Sequence, residues 1–387
     1  MDIFKRALEL KEETVKNRRY LHENAEVGLN MPTAKKFIFQ KLAEYGISAK
    51  DCGFGVCAEV GKGEPCFLLR ADMDALPMRE ESGESFASKN ANAAHTCGHD
   101  MHTAMLLTSA KMLKEQEHLL RGTVKFMFQP AEETLAGAKD MIEHGILDDP
   151  RPKAALALHT AAGRVPPHTF MYNSGNIMMC SANGMRITIK GKGGHAAYPG
   201  LAEDPIKTAF HIYKEIFALV KKEDNAILTI GKIQSGSAAN IIPDTALMEG
   251  TLRSRNAEKH ERLYKSICQA AQDIAKKEGC RAQITPLFSA PALICDKALT
   301  DLTVSFINEM NCHLTAVPDM SAFASEDFAY IAREIPSVLL YIGAGFSDER
   351  GDFTAHHPKV VFNEDALPIG SAVEAHCAIR FFEYYRQ

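Results

Sequence analysis

The chain has 387 residues, 46% of them apolar and 24% charged, the proportions of a soluble globular protein with room for two domains. Its 44 basic and 49 acidic residues leave a net charge of −5, which argues against a binder of nucleic acid or of an anionic membrane. No apolar run approaches the roughly 18 residues of a membrane span. The charged N-terminus lacks a signal-type apolar segment, and ten singly scattered cysteines read as reduced thiols of a cytoplasmic protein.

The first half alternates strands and helices. Apolar runs predict strands over Gly55–Val60, Pro65–Ala71, Val124–Gln129 and Ala154–His159, with helices such as His102–Glu115 and Gly137–His144 between them. That alternation predicts an α/β layer with a largely buried sheet. The middle reads differently. Strands are expected over Met185–Gly191, Ala226–Gln234, Ala246–Ser254 and Arg281–Phe288. Helices are expected over Asp204–Lys222, with Asp204 as N-cap and Pro205 at N1, and over Asn256–Lys277. The order β-α-β-β-α-β is the ferredoxin-like arrangement. It predicts a small α+β domain at 182–290 inserted into an α/β domain made of 1–181 and 291–387. The last quarter returns to the first pattern, with a helix over Ser325–Glu334, a strand over Ser337–Gly343 and a closing helix over Leu367–Tyr384.

The densest chemistry lies in His95-Thr96-Cys97-Gly98-His99-Asp100-Met101-His102. Thiolate and imidazole suit zinc and its neighbours in the transition series. A single glycine between Cys97 and His99 lets both side chains bend towards one point, and His102 is placed to share a helix face with His99. The alternative is a polar helix start without metal. Glu132 and Glu133 follow the strand that ends at Gln129, where α/β sheets place ligands. One can hold a metal while the other acts as a base, or both simply favour a helix N-terminus. His159 ends a buried strand, and His356-His357 precede the last helix. Asp72 and Asp74, two apart at a strand exit, can orient a ligating histidine. Together, Cys97, His99, Glu133, His159 and His356 make five mixed ligands, which suits a pair of metal ions.

These residues sit within HTCGHDMHT, RADMDALP, FQPAEET, GKGGHAAYP, NIIPD and SEDF, and the set resembles the M20 metallopeptidases in their amidohydrolase branch. That branch holds N-acyl-amino-acid amidohydrolases, hippurate hydrolases and N-acetyldiaminopimelate deacetylases. The resemblance runs from His22-Glu23-Asn24 to the final helix. It implies a zinc-exopeptidase-like catalytic domain with a mixed central sheet and an inserted ferredoxin-like dimerisation or lid domain. It also implies two divalent ions (zinc, manganese, cobalt or nickel) on Cys97, His99, Glu133, His159 and His356, with Cys97 bridging. Glu132 is then the general acid and base acting through a water held by the metals. His195, reaching a partner subunit's site, polarises the scissile carbonyl. Asn240 and Arg253 contact the substrate, the latter as a clamp for its carboxylate.

The implied reaction is hydrolysis of the amide of an acetyl, benzoyl or similar N-acyl amino acid by a homodimer or homotetramer. Two departures stand out: Thr-Ala-Ala-Gly follows His159 where the family often has a proline three residues on, and His357 rivals His356. The alternatives are a dipeptidase or carboxypeptidase of the same family, a metal-binding homologue without catalysis, and a thiol enzyme using Cys97 as nucleophile.

Overall fold

The computed structural model describes residues 2–310 and 312–385. The chain folds into two compact units. One comprises Met1–Met178, Ile294–Ser321 and Asp327–Gln387; the other comprises Met179–Leu293 and Ala322–Glu326.

The first unit is built on an eight-stranded mixed sheet. Its central strands Thr123–Gln129, Cys66–Asp72, Pro152–Ala161 and Ser337–Gly343 are mutually parallel and all but fully buried. Near-continuous burial explains why they read as unbroken apolar runs rather than as alternation. Antiparallel strands Gly55–Gly61 and Ala49–Cys52 extend one edge, and the short strands Thr169–Met171 and Thr315–Val317 extend the other. Helix His99–Glu115 lies inside the unit, with 14 of its 17 residues buried, and Ala366–Tyr384 has 14 of its 19 buried. The parallel order brings four strand C-termini to one side, the position where open α/β sheets bind ligands.

Three helices, Ile3–Glu9, Lys11–Glu23 and Pro32–Glu44, precede the first strand and add to the expected elements. The buried face of Lys11–Glu23 consists of Thr14, Asn17, Arg18, Leu21 and His22. A buried face made mostly of polar residues leaves no apolar stripe to find. The helix expected over Ser325–Glu334 is confined to Ala329–Glu334. Its intended first turn is diverted because the Asp327 carboxylate joins a buried network, accepting from Arg70 Nη2 at 3.3 Å, Gln129 Nε2 at 2.6 Å and the Ala138 N–H at 2.9 Å.

The second unit is a four-stranded antiparallel sheet in the order Ala226–Ser235, Thr245–Ser254, Ser181–Lys190, Arg281–Ala290. Helices Pro205–Lys221 and Ala257–Lys277 cover one face through Ile212, Ile216, Leu263 and Ile267. Asp204 caps the first helix by accepting the Ile206 and Lys207 N–H groups, and Asn256 caps the second through Lys259.

Candidate active site

The candidate ligands arrive on four pieces of backbone: Cys97 and His99 on one turn, and Glu133, His159 and His356 each on its own. Cys97 lies on the loop entering helix His99–Glu115, whose N-cap is Gly98 at φ 90°. A Cβ on Gly98 would stand 2.3 Å from Thr160 Oγ1. Only glycine accepts both the left-handed backbone and that approach, so the turn that aims Cys97 and His99 at one point depends on it.

His99 Nδ1 lies 3.3 Å from Asp74 Oδ1. The carboxylate accepts, so the proton sits on Nδ1 and the Nε2 lone pair faces inward. That Nε2 is buried and has no hydrogen-bond partner. His159 is oriented by the backbone: its Nδ1 donates to the Thr160 carbonyl at 2.8 Å, leaving the Nε2 lone pair 3.5 Å from Cys97 Sγ. Its ring stacks on Tyr341 at 4.7 Å. A second-nitrogen bond of this kind sets the tautomer of metal-binding imidazoles.

Glu132 and Glu133 leave the strand Thr123–Gln129 through Ala131, held at φ 54°. Asp74 accepts both of their backbone N–H groups, at 3.0 and 3.2 Å. Glu133 Oε1 lies 3.4 Å from His356 Nε2, and Glu132 Oε2 lies 4.0 Å from His99 Nε2. His356 takes a left-handed backbone at φ 68°, and its N–H donates to the Thr96 carbonyl at 2.9 Å, which ties it to the Cys97 loop. His357 turns elsewhere, stacking on Phe353 at 4.5 Å and accepting the Lys359 N–H on Nδ1.

The ligand atoms of Cys97, His99 and His159 lie within 4.8 Å of one another, and so do those of Cys97, Glu133 and His356. Cys97 is common to both triads. The electrostatics fit cations at this place. Burial pushes the Cys97 thiol up to about 12, so its thiolate needs a positive neighbour. Burial works against a charged His99 ring, yet Asp72, Cys97 and Asp74 raise it well above the ordinary imidazole value, so its negative surroundings favour a cation at Nε2, a place a proton takes when no metal is bound. Burial holds His159 well below that value, with its lone pair available. Burial opposes the Glu133 carboxylate, but His356 and His99 keep it below the usual range. Sulfur, imidazole and carboxylate at this spacing make a donor set that fits two divalent ions.

The two aspartates divide their work. Asp74 orients His99, whereas Asp72 bonds His102 Nδ1 at 2.5 Å and Arg70 Nη1 at 2.8 Å and stands 3.8 Å from His99 Nε2. Arg70 and Asp327 escape sequence reasoning as parts of this surround; the signal for Arg70 was a cation two residues before Asp72 at the end of an otherwise apolar, fully buried strand.

The remaining candidates lie in the second unit. His195 is on the short strand Gly194–His195, paired with Ile241–Ile242, and the Asn240 carbonyl beside it accepts the Ala196 N–H. His195 is exposed, and its Nδ1 accepts the Ala197 N–H at 3.1 Å. Arg253 is half-buried and donates through Nη1 to the Phe323 carbonyl at 3.1 Å and to Ser325 Oγ at 2.9 Å.

Residues 68–380 match the sequence pattern of peptidase family M20/M25/M40. The chain is 34% identical over 370 residues to the N-acetyl-L-cysteine deacetylase of Bacillus subtilis (strain 168), covering 92% of this chain and 85% of that one. It is 35% identical over 385 residues to IAA-amino acid hydrolase ILR1-like 2 of Arabidopsis thaliana, covering 95% and 85%. Its fold superposes on the crystal structure of the Bacillus subtilis YXEP protein, a dinuclear metal binding peptidase from the M20 family. The TM-score is 0.80 at 30% identity, covering 97% of this chain and 99% of that one. The chain belongs to peptidase family M20/M25/M40, on its amidohydrolase branch.

Proposed function

We propose that the protein hydrolyses the amide bond of N-acyl amino acids with two divalent metal ions. The observation that carries this reading is the Cys97 sulfur shared by two triads, with the Glu132 carboxylate alongside. Cys97, His99 and His159 would hold one ion, and Cys97, Glu133 and His356 the other. Bound there, the ions supply a water of lowered pKa and Lewis-acid polarisation of the carbonyl.

The protein's own part starts with Glu132. Buried beside the ligands, with its backbone pinned by Asp74, it takes the proton of the attacking water and returns it to the leaving amine. His195 suits polarisation of the carbonyl. Because its Nδ1 accepts a backbone N–H, a neutral ring carries its proton on Nε2, a donor for a developing oxyanion. Arg253 clamps the substrate carboxylate, a geometry that a guanidinium matches in two parallel bonds. Asn240, next to the His195 strand, adds a polar contact. The inserted unit, residues 182–290 in the sequence reading, supports a homodimer in which His195 serves the partner's site.

The test is amine release from acetyl, benzoyl and indole-acetyl derivatives of several amino acids and from a few dipeptides, with metal-loaded and chelated protein side by side. Metal-dependent turnover of N-acyl amino acids above dipeptides is expected. Preference for dipeptides would place the protein with the peptidases of its family instead, and no turnover with two metals bound would overturn the hydrolase reading.

A further inference from the structure

The sequence places His102 three residues after His99, and the side-chain atoms of Asp72, His99 and His102 fall within 4.8 Å of one another, as a third metal-binding group would. The hydrogen bonds assign it differently. His102 is fully buried, and its Nε2 lies 2.8 Å from the Thr160 backbone nitrogen. A backbone N–H only donates, so Nε2 is the acceptor. The ring proton therefore sits on Nδ1 and goes to Asp72 Oδ1 at 2.5 Å. Both nitrogens are committed, and no lone pair is left for a metal.

What His102 joins is specific. On one side, Asp72 is held by Arg70, which also donates to Gln129 Oε1 at 2.8 Å and to Asp327 Oδ1 at 3.3 Å. Arg70 and Asp72 thus bind the end of Cys66–Asp72 to the end of Thr123–Gln129, three residues before Glu132. On the other side is Thr160. Pairing between Cys66–Asp72 and Pro152–Ala161 stops at Arg70 and Ala157. Beyond it the Thr160 N–H meets His102 in place of a neighbouring strand. The carbonyl of the same Thr160 receives the His159 Nδ1 proton, and its Oγ1 stands where a side chain on Gly98 would have to go.

We infer that His102 is a positioning residue. By joining Asp72 to the Thr160 backbone it holds the strand end whose carbonyl aims His159 at Cys97. The inference rests on the reading of Cys97, His99 and His159 as ligands of one ion.

Cobalt(II) titration tests it, since thiolate-to-cobalt and d–d bands report the ligand set independently of turnover. Four variants are compared with wild type: His159→Ala, His102→Ala, His102→Gln and His102→Asn. Glutamine returns an acceptor near the Nε2 position, and asparagine returns a donor near the Nδ1 position. Loss of one of the two cobalt ions in His159→Ala is expected. His102→Ala should bind two ions, one of them 10- to 100-fold more weakly, the range for lost support of a ligand. Its d–d bands should shift, and kcat should fall more than KM rises. His102→Gln should bind cobalt more tightly than His102→Asn, and that comparison stands even if His102→Ala does not fold.

Wild-type affinity and spectrum in the His102 variants, with one ion lost in His159→Ala, would overturn the inference and leave the ligand reading intact. Asparagine restoring more affinity than glutamine would overturn it as well. Two unaltered sites in His159→Ala would instead overturn the ligand reading on which it rests.

Discussion

One oxygen of Asp74 serves two parts of the site: Oδ1 lies 3.3 Å from His99 Nδ1 and accepts the Glu132 N–H at 3.0 Å. The other oxygen accepts the Glu133 N–H at 3.2 Å. Asp74 therefore sets a ligating ring and the loop carrying both glutamates together. Asp74→Ala should weaken metal binding 10- to 100-fold, with a larger loss of kcat than an equal loss of metal explains, because Glu132 is released too. Metal titration and turnover at saturating metal separate the two effects.

Glu132→Gln keeps the shape of the side chain and removes the base. Two metals should remain bound while kcat falls by about 10²- to 10⁴-fold. Metal content and kcat measured on the same preparation check this, and near-wild-type turnover would remove Glu132 from the role.

Gly98→Ala combines a φ of 90° with a Cβ 2.3 Å from Thr160 Oγ1. The left-handed backbone alone costs about 1–2 kcal/mol for an L-residue, and the contact forces Thr160 or the Cys97 turn to move. A lower Tm and weaker metal binding are expected together. Thermal unfolding with and without metal shows whether the two losses travel together.

Chelation should lower Tm in wild type, because ions that bind only the folded state stabilise it by about 2.7 kcal/mol per site at a hundredfold excess over Kd. Cys97→Ser removes the donor common to both triads and should shrink that shift at both sites. His356→Ala should shrink it, and His357→Ala should not. Differential scanning calorimetry of the four proteins tests the set.

Glu374 offers a pH dependence away from the site. It is fully buried on helix Ala366–Tyr384, and burial pushes its carboxyl up to about 8 although Ser109 Oγ, 2.5 Å away, favours the charged form. The folded value lies above the unfolded one, so its contribution is complete below the ordinary carboxylate pKa and is lost as pH rises through about 8. The loss is about 1.4 kcal/mol per pH unit across that window. Glu374→Gln should flatten the fall in urea midpoint between pH 5 and 8.

Period and burial made much of this protein legible in the chain. Cys66–Asp72, Thr123–Gln129 and Ser337–Gly343 read as apolar runs because parallel strands covered on both faces turn few side chains to water, and antiparallel Gly55–Gly61 reads the same way because it too is nearly all buried. Helix Ala257–Lys277 was visible from its apolar stripe and its Asn256 cap. Cys97, His99, Glu132, Glu133, His159 and His356 were visible as residue types suited to metals, placed at strand ends or turns. Helix Lys11–Glu23 was not, because Arg18 and His22 are buried through ion pairs with Asp100, which no periodicity records.

The sequence by itself determined the fold class and the pool of residues able to bind metal, since these follow from periodicity and residue type, while the family came from the resemblance of its motifs. Only the tertiary structure decided between neighbours of the same type. His356 enters the cluster while His357 stacks on Phe353, and His99 turns a lone pair inward while His102 spends both nitrogens on Asp72 and Thr160. The reason is that a side chain's role depends on which partner takes its second hydrogen bond, and those partners, Asp74, Asp72 and the Thr160 backbone, lie far along the chain from His99 and His102.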